Sequence, residues 1–269
     1  MRDCTRSDSM RIVLYILCGL FGLALLYAAA ALLTGCCKLW RRPIKRLYAA
    51  ITSGEGYTPV SAMPEQLARI VVRLEDMDFY THKGISLHSI RWRLSMLIRE
   101  HRFSGGGSTI TQQLAKNLYF SFGRSAFRKL AELVIVRRLE RVLTKDEILG
   151  AYLNIIYLGN GVYGVPAAAR FYFDETAQEL TLNQSVLLAT LLPGPTVRNP
   201  YVNPDRYVKA REKSLSLLYH SDIITEDEAA SIRDRYSAAH PDDDLQPRTP
   251  VICDPPMHNE YIRSLVSRS

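Results

Sequence analysis

The chain opens on one long apolar run and then settles into a helical period. From Ile12 to Leu33 no charged residue occurs. That is about 22 positions, enough for a helix to cross about 30 Å of hydrocarbon. A cleaved signal peptide has a shorter apolar core of about 7–15 residues, so an uncleaved N-terminal transmembrane helix is predicted. Further on, Leu67, Ile70, Val71 and Leu74 lie on one stripe, with Pro64 at the first helical position. Capping-box spacings stand before other periodic segments: Thr109 with Gln112, Thr144 with Glu147, Thr181 with Gln184, Thr225 with Glu228. Alternating strand patterns are scarce. The fold class predicted is mainly α.

This pattern divides the chain into a cytoplasmic stub and anchor (1–37), a basic collar and Gly/Ser/Thr linker (38–60), a helical globular domain (61–237) and a Pro/Asp-rich tail (238–269). The composition, 47% hydrophobic and 23% charged, is that of a folded protein. A net charge of +7 favours an anionic partner without choosing among nucleic acid, acidic lipid and a phosphorylated substrate. The five cysteines have neither zinc spacing nor a disulfide pattern, and Cys253 stands alone near the C-terminus. Leu33-Thr34-Gly35-Cys36 has the form of a lipoprotein lipobox, which would tether the chain by a lipid on Cys36 in place of the helix. Lys38, Arg41, Arg42, Lys45 and Arg46 outnumber Arg2, Arg6 and Arg11, so flanking charge alone would put the C-terminal side in the cytoplasm. The chemistry below points to the opposite side.

Three segments could carry that chemistry. In Glu75-Asp76-Met77-Asp78-Phe79-Tyr80-Thr81-His82-Lys83-Gly84, a continued helix puts Glu75 on the apolar stripe, after Val71 and before Phe79. Partial desolvation there would raise its pKa towards the range of a general base. A carboxylate at this place could equally cap the helix or pair with Lys83 and Arg73. Ser104-Gly105-Gly106-Gly107-Ser108-Thr109 precedes a helix carrying Gln112, Gln113 and Lys116. Such a glycine-rich approach to free helix N–H groups suits a phosphate, or is simply a mobile loop before a capped helix. The third segment holds Arg124, Arg128, Lys129 and Glu132; Arg128 and Glu132, four apart, are spaced for a surface ion pair.

In this order, the three segments resemble the motifs of glycosyltransferase family 51, the peptidoglycan glycosyltransferases that form the head of bifunctional penicillin-binding proteins. Lys145-Asp146-Glu147-Ile148-Leu149-Gly150-Ala151-Tyr152-Leu153-Asn154 is similar to the family's fourth motif. Gly161-Val162-Tyr163-Gly164-Val165-Pro166-Ala167-Ala168-Ala169, leading to Tyr172-Phe173, is similar to the fifth. The resemblance runs from about Tyr57 to Tyr236. It departs at Gly150, where the family usually has Glu, and at Asp174, where Gly is common.

The resemblance implies a lysozyme-like helical fold and polymerisation of lipid II into β-1,4-linked glycan with release of polyprenyl pyrophosphate. Glu75 would be the general base. Lys116, Arg124 and Arg128 would hold the donor phosphates, with Glu132 assisting at the leaving group, directly or through a divalent cation (Mg or Mn). Ser108, Thr109, Gln112 and Gln113 would line the donor site, and Asp76, Phe79 and His82 the acceptor side, His82 as a scaffold residue more than a metal ligand. No organic cofactor is expected. The partners implied are lipid II, the growing strand, the membrane and other cell-wall synthesis proteins, but no nucleic acid. The place implied is the bacterial inner membrane, single-pass, with the catalytic domain on the periplasmic side. No lysine has a serine three positions before it and KTG is absent, so a monofunctional polymerase without penicillin binding is expected. A lysozyme-like wall hydrolase and a non-catalytic lipid II-binding module are the alternatives.

Overall fold

A computed structural model of the protein describes residues 44–100, 107–120 and 126–234, with Gly22 and Leu245; at 92–94, 96–97, 99–100 and 126–128 only the backbone is described. The helices among these residues are α1 (Ile44–Thr52), α2 (Glu65–Glu75), α3 (Leu87–Glu100), α4 (Ile110–Tyr119), α5 (Ala126–Val142), α6 (Lys145–Ile155), α7 (Val165–Phe173), α8 (Leu182–Leu191), α9 (Pro204–Tyr219) and α10 (Glu226–Asp234). The only extended pairing described is a single bridge between Tyr157 and Tyr163. The mainly α expectation holds.

The four capping boxes all form. Thr109 Oγ1 accepts from the Gln112 N–H while Gln112 Oε1 accepts from the Thr109 N–H, and the Thr144, Thr181 and Thr225 boxes repeat this reciprocal pattern. Two helices make the centre of the fold. In α6 every residue from Ile148 to Ile155 is buried, and in α8 every residue from Asn183 to Leu191. A helix buried on all sides shows no amphipathic stripe, and neither segment has one. Around them, α8 packs on α2, α7 and α9, and α6 on α1, α4, α5 and α7. The α2–α8 packing matters most for function, because α2 ends on Glu75.

Close backbone approach explains a family departure. A Cβ at Gly150 would lie 3.2 Å from the Tyr57 hydroxyl and 3.5 Å from Val60, so in this chain α6 sits tight against the turn at Val60–Ala62. The turn at Asp174 is left-handed (φ 63°) and closes α7, the conformation that Gly adopts most readily. Asp tolerates it, so the turn survives the change of residue.

Several expectations are corrected. Residues 38–60 are not all collar and linker: α1 lies within them and buries Ile44, Leu47, Ala50 and Ile51 in the main core. Pro64 is the cap before α2, not its first residue, and is extended (ψ 132°). The helix does not carry on to Phe79. It stops at Glu75, and Asp76 leaves it at φ −157°.

No described helix is long and apolar enough to cross a membrane. The span expected at Ile12–Leu33 lies outside the described residues apart from Gly22, and so do all five cysteines and, Leu245 excepted, the tail 238–269.

Candidate active site

The chain break after α2 makes the site. Because Asp76 turns out of the helix, its buried carboxylate reaches the start of α4 and accepts from the Ile110 N–H at 2.9 Å. Both its oxygens lie 2.9 Å from His82 Nε2. His82 Nδ1 accepts from the Gly84 N–H at 2.9 Å, so the ring proton resides on Nε2 and is donated to Asp76. Thr109 Oγ1 donates to the Gly84 carbonyl at 2.8 Å and closes the loop on the cap of α4. Phe79 is fully buried beneath the Lys145 ammonium, 4.5 Å from the ring centroid. Asp76, Phe79 and His82 thus form a scaffold that fixes where α2 ends.

Glu75 stands at that end, half-buried. Its Oε2 accepts from Gln113 Nε2 of α4 at 2.6 Å, and Gln113 Oε1 accepts from the Tyr152 hydroxyl of α6 at 3.1 Å. Tyr152 is fully buried, and burial together with Glu75 and Asp76 pushes its phenol well above the ordinary value. It therefore keeps its proton and fixes which way the Gln113 amide faces. Burial also raises the Glu75 carboxyl. The Gln113 hydrogen bond and the Arg198 guanidinium oppose that rise, and Asp76 adds to it. Arg73, a pairing partner allowed by the sequence, instead donates to Ser221 Oγ at 2.6 Å.

The glycine-rich approach to α4 differs from the expectation. The Ile110 and Gln112 N–H groups at the helix start are not free for a phosphate. Ile110 N–H is taken by Asp76, and the capping box takes those of Thr109 and Gln112. Thr109 and Gln112 are buried and engaged within the protein, while Ser108 beside them is half-buried.

Lys116 is exposed in the last turn of α4. On α5, which packs against α4, Glu132 is buried, not at the surface, and accepts a hydrogen bond from the half-exposed Lys129 ammonium. Arg124 and the side chain of Arg128 lie outside the described residues. Among the described residues no group of three His, Cys, Asp or Glu could hold a metal ion, and Glu132 offers one carboxylate already engaged by Lys129.

Two residues escaped the sequence. Tyr152 lay inside the fourth motif without a visible role, and Arg198 lies in a proline-rich turn where no periodicity reports facing.

The transglycosylase family profile matches residues 43–218. Penicillin-binding protein 4 of Bacillus subtilis is 40% identical over 171 residues, covering 63% of this chain and 27% of its own. A protein named as a transglycosylase in Cupriavidus necator is 41% identical over 162 residues, covering 60% of this chain and 68% of its own. The crystal structure of penicillin-binding protein 1A from Haemophilus influenzae aligns with 59% of this chain and 20% of its own, at 23% identity and a TM-score of 0.31, too low to bear on the fold. The chain belongs to the transglycosylase family. It matches only 27% of the length of the Bacillus protein, against 68% of the Cupriavidus one.

Proposed function

We propose that the chain is a peptidoglycan glycosyltransferase that polymerises lipid II, with Glu75 as general base. One observation carries the reading: a half-buried carboxylate with a raised pKa, oriented by Gln113 and Tyr152 at the end of a fixed helix. Glu75 takes the proton of the acceptor sugar's 4-hydroxyl. The freed oxygen electron pair attacks C1 of the donor sugar from the face opposite the pyrophosphate. As the new C–O bond forms, the old one breaks, and its electron pair leaves with polyprenyl pyrophosphate, giving inversion and a β-1,4 link. Lys116, Arg124 and Arg128 hold the donor phosphates. Glu132 fixes Lys129, which adds a further cation as charge develops on the leaving group.

A lipid-linked substrate and the Ile12–Leu33 run support an inner-membrane enzyme whose catalytic domain faces away from the cytoplasm. The test is purified full-length chain with labelled lipid II. The account expects a ladder of glycan strands and one polyprenyl pyrophosphate released per bond formed. Cleavage of preformed glycan without polymer from lipid II would replace the polymerase with a hydrolase.

A further inference from the structure

Arg198 lies in Pro193-Gly194-Pro195-Thr196-Val197-Arg198-Asn199-Pro200, the turn that follows α8. Its backbone N–H donates to the Gly194 carbonyl at 2.8 Å, and Nη1 donates to the Thr190 carbonyl in the last turn of α8 at 3.0 Å. The next residue, Asn199, is buried; its Nδ2 donates to Asn160 Oδ1 at 2.8 Å, and Asn160 Nδ2 donates to the Tyr172 hydroxyl at 3.0 Å. The segment is therefore pinned on both sides of Arg198.

Arg198 is half-buried, yet among the described residues no carboxylate oxygen lies within 4.0 Å of it. A cation withdrawn from water ordinarily has an ionic partner. The helix that holds Arg198 packs against α2, which ends on Glu75, and Arg198 and Glu75 act on each other electrostatically. Among the described residues, the other polar groups acting on Glu75 are Gln113 from α4, Tyr152 from α6 and Asp76, which His82 holds. Arg198 is the cation in this set.

The geometry points to Arg198 as a positioning residue for Glu75, a fixed counter-charge held near the carboxylate without touching it. This inference rests on Glu75 being the base. A direct ion pair would make the carboxylate a poor proton acceptor. Burial alone pushes the carboxyl towards its protonated form. A cation set back by more than 4.0 Å opposes that push and leaves the Glu75 oxygens open to the acceptor hydroxyl.

The experiment is the pH–rate profile for polymerisation of lipid II by full-length wild type, R198K, R198M and E75Q. Removing the cation destabilises the ionised base, so the acid limb of R198M should move to higher pH by about one unit, with most of the alkaline plateau kept. R198K should superimpose on wild type to within about 0.3 unit, since Lys retains the charge. An R198M limb that coincides with wild type overturns the inference. Should R198M fail to fold, R198Q carries the same test, and an unmoved limb counts equally against it. E75Q that keeps both wild-type rate and limb would overturn the base itself; an inactive E75Q with an unmoved R198M limb removes only Arg198.

Discussion

The two sides of the site are built on opposite principles. Around Glu75 the polar groups are buried or half-buried and engaged by the protein: Asp76 by His82 and Ile110, Gln113 by Tyr152, Thr109 and Gln112 by one another. On the other side Lys116 is exposed and Lys129 half-exposed, the latter paired with the buried Glu132. A base must be desolvated and aimed before its substrate arrives, because its pKa and direction are set by the protein. Cations that meet a pyrophosphate need room instead, since the substrate brings the opposing charge. Rigidity and stability should therefore concentrate on the base side, and sensitivity to salt on the cationic side.

The largest break in that contrast should come from Asp76→Ala. It strands the His82 and Ile110 donors in a buried place, and a loss of about 3 kcal/mol in unfolding free energy is expected from chemical denaturation, with activity falling alongside. On the cationic side, Lys116→Ala should leave the melting temperature almost unchanged and lower kcat/KM by about 10- to 100-fold, the deficit widening as salt falls. Equal destabilisation by both variants would erase the contrast. Tyr152→Phe sharpens it: Gln113 loses the partner that fixes its amide, so kcat should drop by about 10-fold while stability falls by about 1 kcal/mol.

The smallest effect concerns stability and pH. Because the folded-state pKa of Glu75 lies above its unfolded value, its contribution to stability is full below the unfolded pKa and is lost as pH rises through the folded one. Glu75→Gln carries no such loss. Its melting temperature should match wild type near pH 4 and exceed it at pH 7.5. A variant that melts lower at neutral pH would mean that Glu75 is an ordinary stabilising carboxylate.

What the sequence revealed follows from which interactions are local. The four capping boxes join residues three apart, and all were legible. The apolar register of Glu75 was legible too, but its reason was partly wrong: the helix was expected to run on to Phe79, and nothing in the sequence marks Asp76 as leaving it. That exit depends on a bond to Ile110, 34 residues away. The same bond closes the N-terminus of α4, which looked free for phosphate when only its glycines and cap were considered. The helix α1 hid behind the basic residues around it, since Lys45 and Arg46 read as collar while Ile44, Leu47 and Ile51 turn inward. Arg198 and Tyr152 depend wholly on tertiary packing, on α8 against α2 and on α6 against α4.

The central claim is that Glu75 takes the acceptor's proton, and the most direct measurement is the rate of bond formation by Glu75→Gln at saturating labelled lipid II. Gln keeps the shape and can still accept from Gln113, yet it cannot take up a proton. The account predicts a folded enzyme that binds lipid II about as well as wild type and forms glycan bonds about 100- to 10,000-fold more slowly. Strands made by Glu75→Gln at the wild-type rate would contradict it.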